Sequence, residues 1–214
     1  MQREPFVSGE FYHIYNRGVD HRNIFLDDID LRRFFQSMQE FNSLDPVGSL
    51  YENSFKQLGG ETAKLVNFVA YCLNPNHFHF LVQQVVDNGI SEFMKRLGGY
   101  TWYFNNKNNR SGSLFQGVYK SVHINSNEYL LHVSAYVNLN NLVHKLGGET
   151  AKLCKSSWNE YVEDHEESFC TKKDIVLEQY NSKEEYKEFA TSSLEDILER
   201  KEQKREMMQA LLLE

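Results

Sequence analysis

His77 and His79 stand two residues apart in the segment HFHFLVQ, 77–83. Alternate residues of a strand point the same way, so the two imidazoles share one face while Phe78, Phe80 and Val82 share the other. An apolar face behind two aligned imidazoles presents two nitrogen donors to one cation. Two ligands are an incomplete metal site, and the same spacing suits two strand histidines with ordinary hydrogen bonds. A second constellation lies in YLLHVSAYVNLNNLV, 129–143. There His132, Tyr136 and Asn140 recur four residues apart and occupy one helical face. Tyr136 offers a nucleophile, and Asn140, one turn on, an oxygen donor to the same cation. Tyrosine is weakly nucleophilic at its usual pKa of about 10. A cation that neutralises a scissile phosphate and lowers the phenol's pKa helps it attack. Taken alone, Tyr136 is one of twelve tyrosines, and core packing is the simpler role for any one of them.

The elements that must position these residues follow from the apolar periodicity. FYHIYNR (11–17) is rich in aromatic and β-branched residues and predicts a strand closed by Gly18. DDIDLRRFFQSMQEFNSL (27–44) places Ile29 or Leu31, Phe34, Phe35, Met38 and Phe41 at helical spacing behind an acidic first turn. LVNFVAYCL (65–73) and HFHFLVQ (77–83) predict a hairpin across the tight link Asn74-Pro75-Asn76. A helix is expected over 90–107, interrupted by Gly98-Gly99, then a strand over 114–124. Ser126 is the expected N-cap of a helix running through Val143. Ser182 and Glu185 form a capping box ahead of a long C-terminal helix. The order β-α-β-β-α-β-α resembles a ferredoxin-like split βαβ core of the α+β class with an antiparallel sheet. To that core are added a helix carrying Tyr136 and a helical C-terminal extension. The expected division is a domain over 1–155 and an acidic helical extension over 156–214.

Bulk composition bounds the partners. A chain of 214 residues with 41% apolar residues and three prolines is long enough to bury a core. The net charge of −7 weighs against nucleic acid at first sight, but its distribution does not. Residues 145–214 carry 11 Lys and Arg against 17 Asp and Glu. Within 91–123, by contrast, Lys95, Arg96, Lys107, Arg110 and Lys120 are opposed only by Glu92. The three cysteines, Cys72, Cys154 and Cys170, are too far apart for a zinc knuckle and odd in number. With no apolar leader and no apolar run of membrane length, a cytoplasmic protein without membrane attachment is expected.

Five segments, taken in order, resemble the motifs of REP-associated tyrosine transposases. They are YHIYNRGVDHRNIF (12–25), NPNHFHFLV (74–82), RSGSLFQGVYKS (110–121), YLLHVSAYVNLNNLV (129–143) and SSWNEY (156–161). These enzymes belong to the wider single-tyrosine HUH transposases, named for a His-hydrophobic-His pair. The resemblance runs over roughly 11–190 and implies that His77 and His79 bind Mg²⁺ or Mn²⁺, with Tyr136 as the nucleophile. Asn140 falls where the family places its third ligand, Gln or Asn. The family commonly has Asn-Pro at that point, whereas this chain has Asn140-Asn141. His132 is not a residue of the family's motifs.

The implied activity is cleavage and rejoining of single-stranded, hairpin-forming DNA through a 5′-phosphotyrosine. Arg17, Arg110 and Lys120 are candidates for backbone contact, and Trp102, Tyr103, Phe115 and Tyr119 for stacking on unpaired bases. The working unit would be a monomer or a homodimer. Alternatives are another HUH nuclease, a replication initiator or relaxase, or a domesticated protein that holds hairpin DNA without cutting it.

One further feature is an unchanged repeat, LGGETAKL, at 58–65 and 146–153. Two distant copies do not make a stacked array. Lys145–Leu153 can be encoded by DNA whose two arms are reverse complements, so both copies could be translated remnants of a short palindromic element. A duplicated surface loop is the simpler alternative.

Overall fold

The computed structural model describes residues 5–45, 48, 63–144, 152–164 and 168–211, with side chains to residue 204. Most of both LGGETAKL copies, 58–62 and 146–151, lies outside the described residues. The strands are β1 (Phe11–Arg17), β2 (Val66–Asn74), β3 (His77–Gln84), β4 (Lys120–Ile124) and β5 (Lys155–Ser156). They form one sheet in the order β4-β1-β3-β2-β5, every pairing antiparallel. With the helices on both sides this is the α+β, split βαβ arrangement expected from the sequence.

Helix α1 (Asp28–Phe41) begins where Asp27 accepts a hydrogen bond from the Asp30 backbone N–H at 2.9 Å. Leu31, Phe34 and Met38 are buried, whereas Ile29 faces solvent. The link Asn74-Pro75-Asn76 joins β2 to β3, and the Pro75 carbonyl accepts from the backbone N–H groups of Ile24 and Phe25. The hairpin tip, which carries His77, is therefore tied to the segment ahead of α1.

Three predicted elements differ in extent. The expected helix over 90–107 is two, α2 (Gly89–Leu97) and α3 (Tyr100–Lys107), separated at Gly98-Gly99. The strand expected over 114–124 pairs only from Lys120 onward. Gly117 takes φ 69°, a left-handed conformation that ends the extended run, and Phe115 keeps a single bridge to Gly18. The Ser126 hydroxyl caps α4 (Asn127–Asn138), accepting from the Tyr129 N–H. The helix then breaks at Leu139 (φ −105°, ψ 14°), and the short α5 (Asn140–Val143) follows.

Two apolar clusters sandwich the sheet. On one face Ile14, Phe78, Phe80 and Val82 pack with α1, α2 and α3. On the other, Ala70, Cys72 and Leu81 pack with Val133 and Val137 of α4. Helices α6 (Trp158–Val162), α7 (Asp174–Leu177) and α8 (Lys183–Leu211) complete that second layer. Their Tyr161, Val176, Tyr186 and Ala190 are fully buried. A polar network locks α8 to α4: Asn138 Nδ2 donates to the Tyr186 hydroxyl at 2.9 Å, and Ser157 Oγ donates to Asn138 Oδ1. Ser182 accepts from the Glu185 N–H, whereas the Glu185 carboxylate reaches Asn181 instead of completing the expected box. Among the described residues no helix is long and apolar enough to cross a membrane.

Candidate active site

The alternation of β3 sets the site. Phe78 and Phe80 enter the first cluster, so His77 and His79 turn to the opposite face, beneath α4. β1 runs alongside with Tyr15 paired to His79 and Arg17 paired to His77. Helix α4 lays Tyr136 across this face, its ring 5.4 Å from that of His79 and nearly perpendicular to it. The break at Leu139 turns Asn140 inward, fully buried, until its Oδ1 lies 2.9 Å from His77 Nε2. Tyr136, His77 and His79 line a cavity of about 490 Å³ together with Arg17, Lys120, Tyr15 and His144.

The hydrogen-bond accounting around His77 indicates what the cavity can hold. Asn76 Oδ1, which can only accept, lies 2.6 Å from His77 Nδ1, so Nδ1 carries the ring proton. His77 Nε2 is then a lone pair. It faces Asn140 Oδ1, another acceptor, at 2.9 Å. Asn74 Nδ2 donates toward both, 2.9 Å from the nitrogen and 2.8 Å from the oxygen. The Asn74 amide, with one hydrogen toward each, holds these two acceptors together, and a cation beside them would do the same. Donors roughly 2.1 Å from a shared cation and at right angles stand about 3 Å apart. The Asn140 amide nitrogen is buried without a hydrogen-bond partner, so its carboxamide is held by the oxygen end. Among the described residues no three His, Cys, Asp or Glu side chains gather as a metal-holding group. The donors at hand are two imidazoles and one amide oxygen, a set that a divalent cation completed by water or phosphate oxygens would fit.

Burial tunes the titratable groups. Desolvation lowers the pKa of His77, opposed by the Asn140 oxygen, which would accept a hydrogen bond from the protonated ring. The same effect holds His79 well below the ordinary value, helped by its histidine neighbours, and brings His144 down to about 4. All three are therefore neutral near pH 7, as ligands must be. Burial raises the Tyr136 phenol, with the Asn140 side chain opposing. That direction is unfavourable for a nucleophile, and added positive charge near the oxygen would oppose it.

Of the residues singled out from sequence, His77, His79, Tyr136, Asn140, Arg17 and Lys120 converge here. Arg110 does not: it braces the loop after α3, donating to Asn105 Oδ1 at 2.6 Å and the Ser113 carbonyl at 3.1 Å. Trp102 stands on α3 with 74% of its surface exposed, away from the cavity. Tyr119 packs with Phe115 against the first cluster and borders a separate apolar cleft. Three residues of the site were not foreseen. His13 reaches His79 with a nitrogen–nitrogen distance of 2.8 Å, Tyr15 stacks on His79, and the ring of His144 lies 4.5 Å from that of His77. The spacing of His13 and Tyr15 on one strand face was the available signal, as was the position of His144 four residues after Asn140.

The sequence model of the family described as "Transposase IS200 like" matches residues 50–140, a span that contains both histidines, Tyr136 and Asn140. Among solved structures, that of a REP-associated tyrosine transposase bound to a REP hairpin is similar to this chain. The TM-score is 0.50 at 11% identity, over 82% of this chain and 92% of that one. No curated protein matches. The resemblance read from the motifs thus holds: this chain is similar to the IS200-like transposases over residues 50–140 and takes the fold of a REP-associated tyrosine transposase over most of its length.

Proposed function

We propose that this protein is a metal-dependent transposase that cleaves and rejoins single-stranded, hairpin-forming DNA through a 5′-phosphotyrosine on Tyr136. The observation that carries this reading is the approach of two acceptor atoms, His77 Nε2 and Asn140 Oδ1, to 2.9 Å, with His77, His79 and Tyr136 lining one cavity. His77, His79 and Asn140 would hold Mg²⁺ or Mn²⁺. When bound, the cation supplies positive charge to the scissile phosphate and to the developing phenolate.

The chain's own groups do the rest. Arg17 and Lys120 flank the cavity and suit a phosphodiester lying across it. Tyr136 Oη attacks phosphorus, forming a P–O bond as the bond to the 3′-oxygen breaks. The phenol's proton is lost and a proton is gained at the departing oxygen, leaving a free 3′-OH. The phosphotyrosine conserves the energy of the broken bond, so attack by the 3′-OH of another strand rejoins DNA without a nucleotide cofactor. The solved relative is bound to a REP hairpin, which suggests hairpin DNA as the partner.

The test is incubation with Mn²⁺ and a hairpin oligonucleotide labelled at either end. A protein-linked product is expected to retain only the label 3′ of the cut. A protein-linked product retaining the 5′ label would reverse the assigned polarity, and no adduct with any hairpin would leave only a DNA-binding protein.

A further inference from the structure

We propose that His13 is a positioning residue that fixes the tautomer of His79, so that His79 presents an unprotonated Nε2 to the cavity. The inference rests on the metal-dependent reading of that cavity and assigns a task to a residue on a different strand.

His13 Nε2 and His79 Nδ1 are 2.8 Å apart, and both side chains are buried. At that distance one proton lies between the two nitrogens, so one ring donates and the other accepts. If His79 donates, its Nε2 is a bare lone pair. If His13 donates, the proton of neutral His79 sits on Nε2 and blocks it as a ligand. His79 lines the cavity and His13 does not, so His13 occupies the place behind the ligand. A metal-binding imidazole generally donates its remote N–H to an acceptor, which sets its tautomer and aim. The same arrangement is present at His77, whose Nδ1 donates to Asn76.

Sheet register builds the pair. Tyr15 lies opposite His79 and His13 opposite Leu81, so His13 approaches His79 diagonally from the next strand. The Tyr15 ring stacks on both imidazoles, with centroids 5.0 Å from His13 and 5.5 Å from His79. The two histidine rings lie within 21° of parallel. Rotation of either ring would break the stack as well as the hydrogen bond. An imidazole acceptor adds no negative charge behind the ligand, unlike the carboxylates often found in this place.

Two measurements test the assignment. In metal-free protein labelled with ¹⁵N-histidine, long-range ¹H–¹⁵N correlation spectra are expected to show His79 protonated at Nδ1 and His13 unprotonated at Nε2. A proton on His79 Nε2 would overturn the proposal. Mn²⁺ affinity, read from the free-ion electron paramagnetic resonance signal, is expected to fall about 10- to 100-fold in His13→Ala. His13→Gln, which keeps an acceptor, is expected to recover most of it. Equal Mn²⁺ affinity in wild type and His13→Ala would also overturn the positioning role. A wild-type protein that binds no Mn²⁺ would defeat the metal reading and this inference together. If His13→Ala does not fold, the wild-type spectra decide.

Discussion

At Tyr136 two requirements compete. Packing of α4 on the sheet holds the half-buried phenol against the histidine pair, and the same burial raises its pKa. The neutral phenol is thus favoured at neutral pH, and the phenolate fraction grows as pH rises toward the elevated value. Single-turnover adduct formation is expected to increase with pH from about 7 to about 9, nearly tenfold per unit. Incorporating a more acidic fluorotyrosine at 136 should move that rise to lower pH, and a flat profile would show that phenol ionisation is not limiting. The grouping of Tyr136 with His77, His79 and Asn140 was legible because strand and helix periodicities put them on common faces, and the family resemblance singled them out as one site. His13 and His144 were not, because their roles depend on which strand neighbours β3 and on where the chain turns after Asn140. Local spacing puts His13 beside Tyr15 on one strand face and His144 one turn after Asn140, but does not say which rings they meet.

Elements decide how well those side chains stay in place. Helix α4 is held to the sheet and to α8 through Asn138, Ser157 and Tyr186, all buried. Tyr186→Phe leaves the Asn138 amide without its partner, at an expected cost of about 1–3 kcal/mol in a urea unfolding titration. A loss of less than a few tenths would mean that the network adds nothing beyond packing. At the other face, Lys107 of α3 clamps the start of α1, with Nζ 2.7 Å from Asp27 Oδ2 and 2.7 Å from Asp30 Oδ1. The hydrogen bond from Lys107, then that from the Asp30 N–H, holds the Asp27 carboxyl below its usual range. A lowered carboxyl pKa stabilises the fold above the unfolded value of about 3.9 and ceases to do so as pH falls through the folded value. Asp27→Asn preserves the helix cap, so its urea midpoint should fall less steeply below about pH 4 than that of wild type. Equal slopes would assign the acid sensitivity elsewhere.

The elements were legible in kind and less so in extent. Alternation and caps gave β1, the hairpin, α1 and α4. The strand expected from residue 114 was shortened because Gly117 adopts a backbone conformation that apolar content does not report. Likewise, nothing in the apolar pattern of 129–143 marks the break at Leu139 that aims Asn140.

For the whole molecule, the net charge of −7 is no argument against the proposed DNA partner. Acidic residues gather in the C-terminal region, while the cavity is flanked by Arg17 and Lys120. Replacing both by alanine is expected to weaken hairpin binding and to lower the slope of log affinity against log salt by roughly 1.4 to 1.8. Arg32→Ala, on an exposed part of α1 paired with Asp28, should change neither. An unchanged slope in the double variant would place the phosphate path elsewhere. The central claim is that one phenol, brought by α4 to the histidine face of the sheet, becomes joined to DNA. It is tested most directly by digesting the Mn²⁺-dependent protein–DNA adduct and locating the nucleotide by mass spectrometry. The account predicts the added mass on the peptide containing Tyr136, and no adduct from Tyr136→Phe. A nucleotide on any other residue, or an undiminished adduct from Tyr136→Phe, would contradict it.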